Sequence, residues 1–255
     1  MSDIENIPDG MSAEEWRLRV DLAAAFRLVA LYGWDDLIFT HLSVRVPGPD
    51  HHFLINPYNL MFEEITASSL VKIDVEGRAV DPTPHMVNPA GFTIHSAIHM
   101  AREDAQAVIH LHTPHGQAVS AMRDGLLPYT QTAMIAHHDL AFHEYEGIAT
   151  DLAERERLVA DLGGHNLMLL RNHGTLAVGA SIAIAFLRIY FLERACEAQV
   201  HMLAAGRDNL YPPPAGVADK VRQQSSGPMV DMAAERLAWP ALLRRLDRAN
   251  PGFRC

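Results

Sequence analysis

In the run Val108-Ile-His-Leu-His-Thr, two histidines stand two residues apart within a short aliphatic stretch. Such a stretch reads as a strand. Strand side chains alternate faces, so His110 and His112 point one way while Ile109 and Leu111 point the other. Two imidazoles on one face, about 6–7 Å apart along the backbone, can converge on one ion. Neutral nitrogen donors suit zinc, and also manganese, iron or nickel. Two histidines satisfied by hydrogen bonds in a polar cleft would leave the same pattern, so the pair needs a third partner. His173 is the leading candidate. It lies in Arg171-Asn-His-Gly at the end of an apolar run, and the following glycine permits close backbone approach. Sites are commonly built at strand ends and on the loops beyond them. A rival set is His95 and His99, four apart on a predicted helix and therefore on one face. Spacing alone does not choose between the two sets.

The elements that must carry these residues follow from hydrophobic period and punctuation. Residues 1–11 read as a loose arm. Ser12 opens a helix, Glu15 completes a capping box and Gly33 closes it. Residues 37–46 and 51–55 read as strands around a Pro-Gly-Pro turn, and 71–75 with 78–80 as a hairpin across Glu76-Gly77. A helix is predicted over 91–102, a strand over 105–113 and a helix over 116–122. Residues 126–146 carry no clear period. A helix at 152–162 stops at Gly163-Gly164, and a strand at 166–170 leads into the Arg171-Asn-His-Gly turn. A long helix covers 182–203. After Pro212-Pro-Pro, one further helix is expected over 229–246, kinked or broken at Pro240. The domain organisation is thus an arm at 1–11, a domain at 12–210 and a C-terminal tail with a helix at 211–255. The irregular alternation of helices and strands predicts a mixed or antiparallel sheet flanked by helices.

The bulk composition narrows the function classes. The chain has 255 residues, is 49 % hydrophobic and carries a net charge of −10 with its fifteen histidines neutral. That balance argues against a general nucleic-acid or anionic-membrane binder, which needs a cationic face. Arg244, Arg245 and Arg248 form the one basic cluster, read as a solvated helix face. Two cysteines imply no disulfide framework, and the acidic N-terminus has no apolar signal core, so a cytoplasmic protein is expected.

Five collinear pieces then carry a resemblance: Gly33-Trp-Asp-Asp-Leu-Ile-Phe-Thr-His-Leu-Ser-Val-Arg, Ile65-Thr-Ala-Ser-Ser-Leu-Val-Lys-Ile, Asn88-Pro-Ala-Gly-Phe-Thr-Ile-His-Ser-Ala-Ile-His, Ala107-Val-Ile-His-Leu-His-Thr-Pro and Leu169-Leu-Arg-Asn-His-Gly-Thr-Leu-Ala-Val-Gly. Over roughly 16–206 the chain resembles the class II aldolase/adducin family, with wording nearest the adducin head. The resemblance implies an α/β/α three-layer fold with a mainly antiparallel central sheet. It also implies a divalent ion, usually zinc, on His110, His112 and His173, and homotetramers with active sites between subunits. Two departures qualify it. The aldolases' catalytic carboxylate aligns with Gly91, and His41 stands where their phosphate loop carries asparagine, with Ser43 retained. The family's long Lys-rich adducin tail is absent from this sequence.

The expected activity is therefore a metal-dependent lyase, a decarboxylase or aldolase-type carbon–carbon cleavage, on a small non-phosphorylated hydroxy- or aromatic acid. The replacement acid/base is expected to be His95 first and His41 second, with Glu63, Glu64, His138 and Tyr145 in reserve. Asp35 and Asp36 are read as capping or turning the chain after the first helix, and the apolar residues along 182–203 as core or subunit packing rather than a cofactor site. The competing expectations are a non-catalytic adducin-head-like assembly domain and a non-haem iron oxygenase.

Overall fold

In the computed structural model, which describes residues 7, 8, 10–147 and 153–255, a seven-stranded sheet forms the middle of three layers. Its strands are β1 (His41–Arg45), β2 (Phe53–Ile55), β3 (Val71–Ile73), β4 (Ala107–Leu111), β5 (Leu140–His143), β6 (Leu167–Leu170) and β7 (Gly174–Gly179). They run in the order β3-β2-β1-β4-β7-β6-β5, and every neighbouring pair is antiparallel except β5 with β6. The helices are α1 (Ala13–Leu31), α2 (Pro89–Ala101), α3 (Pro114–Ser120), α4 (Gln131–His137), α5 (Glu154–Leu162), α6 (Ile182–Leu203), α7 (Val217–Gln224), α8 (Pro228–Ala233) and α9 (Trp239–Ala249).

Side-chain alternation assigns the two faces. Leu42, Val44, Ile109 and Leu111 join the main core with α1, α3, α4 and α6, whereas Val108 joins the second core with Ile94 and Ile98 of α2 and Leu158 of α5. The even residues of β4 therefore look toward α2, and the odd ones toward α6. His110 belongs to the α2 face. In the β1–β4 ladder His41 lies directly opposite His110, so register alone sets these two imidazoles side by side.

The described part of the arm is short, because most of 1–11 lies outside the described residues. Ser12 caps α1 by accepting from Glu15 N–H at 3.1 Å, an arrangement worth about 1 kcal/mol. The reciprocal half of the expected capping box is not made, because the Glu15 carboxylate pairs with Arg19 and Lys72. The first strand starts at His41 rather than residue 37. A turn closed by Phe39 N–H on Asp36 C=O, with Leu37 at φ 52°, occupies 36–39. The hairpin predicted over 71–80 reduces to β3 and one bridge between Ile73 and Ala79, because the Asp74 carboxylate takes up Glu76 N–H and Arg78 N–H in a tight turn.

Two strands escape the sequence pattern. β5 lies with α4 inside the stretch that carried no clear period. β7 begins and ends in glycine, a residue that weakens a strand signal. The fold needs both. A Cβ on Gly174 would lie 2.2 Å from the Leu111 carbonyl oxygen, and one on Gly179 would lie 2.5 Å from Ala185 N. These glycines let β7 press against the end of β4 and the start of α6.

Beyond residue 210 there are three helices instead of one. Between α8 and α9 a π turn, Ala234–Ala238, widens the helix just before Pro240, so the expected break becomes a continuous but loosened helix. Trp239, Leu246 and Phe253 are buried in the main core. The Arg27 guanidinium donates to Ile65 O at 2.7 Å, Asn250 Oδ1 at 2.9 Å and Pro251 O at 2.6 Å, stitching this segment to α1. Arg245 lies over the Tyr32 ring, and Arg244 and Arg248 are exposed. Among the described residues no helix is long and apolar enough to cross a membrane.

Candidate metal centre

Two segments meet at one end of β4. His110 is inside the strand and fully buried, His112 follows it, and His173 sits in the turn between β6 and β7. That turn is tight: His173 N–H donates to Leu170 O at 3.0 Å, and Asn172 takes the left-handed conformation at φ 55°. Because Gly174 has no Cβ, the turn packs directly onto Leu111, and His173 is carried to His112. His110 Nε2 lies 2.8 Å from His112 Nε2, which lies 3.0 Å from His173 Nε2. The three ligand atoms all lie within 4.8 Å of one another.

The outward nitrogens decide what faces inward. His110 Nδ1 is 2.9 Å from Thr175 O, and a carbonyl only accepts, so Nδ1 carries the proton and Nε2 a lone pair. His112 Nδ1 lies 3.1 Å from the Asp36 carboxylate, which sets the same tautomer. Two lone pairs then face each other at 2.8 Å. Without a cation between them that contact is repulsive; with one it is a ligand pair. Burial, with the neighbouring imidazoles adding, holds His110 well below the usual histidine range and pushes His173 down to about 4. His110 and His173 are therefore neutral near pH 7, as metal ligation requires. The donor set fits a divalent ion.

Asp36, Thr175 and Glu193 were not identified from the sequence. Asp36 reads there as a turn residue, yet its turn delivers a carboxylate to His112. The Glu193 carboxylate, fully buried on α6, accepts from the Thr113 and Thr175 hydroxyls and so ties together the segments that follow His112 and His173. Burial pushes Glu193 up to about 7. Nothing local in the sequence marked it, because Arg188, Arg194 and Glu197 share its helix and burial alone sets Glu193 apart.

The rival pair, His95 and His99, does not join this cluster. Both belong to a second, fully buried group on α2. His41 Nδ1 is 2.8 Å from His95 Nε2, the other His95 nitrogen contacts Ser43 Oγ, and Ser43 Oγ is 2.7 Å from His99 Nε2. His95 thus has both ring nitrogens engaged behind His41. The His41 ring centre lies 5.0 Å from that of His110. A Cβ on Gly91 would stand 3.0 Å from His41 Cγ and Cδ2. The imidazole thus fills the space that a side chain at 91 would enter.

The reserve candidates are dispersed. Tyr145 stands at the rim, its ring 6.2 Å from that of His173. Glu64 caps Met61 N–H at 2.8 Å, Glu63 is exposed, and His138 lines a cavity of about 540 Å³ between α6 and α8. Phe39, on the turn that carries Asp36, packs edge-on against Tyr58 at 6.2 Å and is 45 % exposed.

Comparison with known proteins gives the family. Residues 20–200 match the family described as class II aldolase and adducin N-terminal domain. A Caulobacter vibrioides protein named as an aldolase class 2 protein is 59 % identical over 95 % of this chain and 94 % of its own. Alpha-adducin of Mus musculus is 48 % identical over 76 % of this chain, which spans only 27 % of that protein. Among solved structures, the L-fuculose 1-phosphate aldolase from Glaciozyma antarctica superposes with a TM-score of 0.82 at 29 % identity, covering 97 % of both chains.

Proposed function

The chain belongs to the class II aldolase and adducin N-terminal domain family, and from that premise we propose that it is a divalent-metal-dependent carbon–carbon lyase acting on a small non-phosphorylated hydroxy- or aromatic acid. The observation that carries the metal is the 2.8 Å approach of two Nε2 lone pairs whose outer nitrogens are committed to Thr175 O and Asp36. His110, His112 and His173 would hold the ion, with zinc the first choice and manganese or iron next. When bound, it supplies a Lewis acid for the negative charge that develops beside the breaking bond.

The remaining roles belong to the chain. His41, opposite His110 in the ladder, is the group placed to handle a proton; His95 stands one step behind it with no nitrogen to spare. Gly91 supplies no side chain, and the His41 ring lies against it. Tyr145, whose ring stands 6.2 Å from that of His173, offers an aromatic surface beside the cluster that suits a flat or apolar acid. A homotetramer and a cytoplasmic location complete the reading, supported by family membership and by the absence of a membrane-length helix among the described residues.

The test is direct. The protein is purified without added metal and titrated with zinc, manganese and iron(II); hydroxy- and aromatic acids are then screened for carbon dioxide or aldehyde release. One ion per chain, lost in His112→Ala, together with turnover of an acid, is the expected result. No affinity for any of the three metals removes the proposal. Metal binding with oxygen uptake and no cleavage replaces the lyase with an oxygenase, and metal binding without turnover leaves an assembly domain of the adducin-head kind.

A further inference from the structure

The buried group on α2 has a direction. It ends on a backbone carbonyl: His99 Nδ1 is 2.8 Å from Ala105 O. A carbonyl only accepts, so His99 Nδ1 carries the proton. The rings of His41, His95 and His99 are buried, which disfavours the charged imidazolium, and burial pushes His99 down to about 3 and His95 well below its ordinary range. Each ring is therefore read with one N–H. His99 Nε2 must then accept, and the donor beside it, at 2.7 Å, is the Ser43 hydroxyl. With its single proton spent, Ser43 Oγ accepts from His95 Nδ1–H. His95 Nε2 is left as an acceptor, and His41 Nδ1–H donates to it at 2.8 Å. Each step is forced by the one before.

We infer that Ser43, His95 and His99 form a one-way hydrogen-bond chain, anchored on the Ala105 carbonyl, that holds His41 as the Nδ1–H tautomer and so offers a lone pair at its Nε2. The anchor is rigid. The His99 ring stacks on Phe53 at 4.7 Å and 14°, and its backbone carbonyl is held by Arg45. Gly91 packs against the edge of the His41 ring, so the ring has little room to turn. Ser43, His95 and His99 are positioning residues; His41 is the group they set.

The inference rests on the proposed function for its consequence. If a hydroxy acid enters, the group that meets His41 is a hydrogen-bond donor. Its hydroxyl then faces His41, and its carboxylate is left to face the three-histidine cluster. A tautomer with N–H at Nε2 would reverse that orientation.

The test is a long-range 1H–15N correlation spectrum of the metal-free, 15N-histidine-labelled full chain at pH 7.5, with assignments from single His→Gln variants. The expected result is Nδ1–H for His41, His95 and His99 alike. In Ser43→Ala, His99 keeps Nδ1–H because its carbonyl partner remains, while His95 and His41 become tautomer mixtures; Ser43→Cys restores the wild-type pattern in part. Nε2–H on His41 in the wild-type protein overturns the inference, as does a Ser43→Ala spectrum with His41 and His95 unchanged. The wild-type spectrum decides the matter even if a variant does not fold. Zinc uptake is measured separately on the same sample. Absent uptake with Nδ1–H on His41 defeats the proposed function alone, and zinc binding with Nε2–H on His41 defeats this inference alone.

Discussion

The His41 ring occupies the space that a side chain at residue 91 would enter. That closeness predicts strong coupling. Gly91→Ala would bring a methyl to 3.0 Å from the His41 ring, and overpacking of this kind costs about 1–3 kcal/mol. In a His41→Ala background the same change should cost less than half as much. A double-mutant cycle by urea denaturation measures the difference; equal costs in both backgrounds would show that the two residues do not compete for one space. Asp36 makes a second prediction at this scale. Removing its carboxylate leaves the His112 tautomer unset, so Asp36→Ala should weaken zinc binding by about 10–100-fold with the fold intact. Calorimetric titration reads this, and an unchanged affinity would assign Asp36 to the turn alone.

At the scale of elements, the centre depends on how closely β7 approaches β4. Gly174 is the contact point, with Leu111 O only 2.2 Å from where its Cβ would be. Gly174→Ala must push the two strands apart and with them His173 from His112. The expected outcome is a loss of zinc binding of two or more orders of magnitude, with destabilisation of about 1–3 kcal/mol. Retained affinity measured on folded protein would mean that the turn, not the strand contact, carries His173. Glu193 braces the same place from α6, through the two threonine hydroxyls that follow His112 and precede Leu176.

For the whole molecule, the buried histidines govern the response to acid. Burial lowers the pKa of His41, His95, His99, His110 and His173. Their folded values lie below the unfolded value near 6.5, so the unfolded chain binds protons that the native one refuses. The stability these groups contribute is present above pH 6.5 and is lost as pH falls toward their folded values. Glu193 works in the opposite sense: raised to about 7, it favours the native state as pH falls from there to its unfolded value near 4.5. Each group contributes at most about 1.4 kcal/mol per pH unit. Five histidines outweigh one glutamate, and a domain stability of about 5–15 kcal/mol is consumed within one to three pH units. The metal-free protein should therefore unfold near pH 5, and its denaturation midpoint should drop steadily from pH 7.5 to 5.5. A constant midpoint over that interval contradicts the assignment. Bound zinc should raise the midpoint at pH 7.5 and lose that effect on acidification, because the ligands must stay neutral.

Much of this protein was legible from residues 107–113 and 169–179 alone. Strand alternation put His110 and His112 on one face, and the glycine after His173 announced a close backbone approach, because both are local consequences of backbone geometry. Helix α6 was legible for the same reason: its period and its stop are written into consecutive residues. What the chain could not disclose locally was register. That His41 stands opposite His110, that a turn beginning five residues after the end of α1 delivers Asp36 to His112, and that β7 is a strand despite its terminal glycines all depend on which distant segments pair. The order of the buried chain from Ala105 O to His41 is decided the same way. Each of its links joins separate elements or turns, and only the folded sheet and helix α2 bring those atoms within hydrogen-bonding distance.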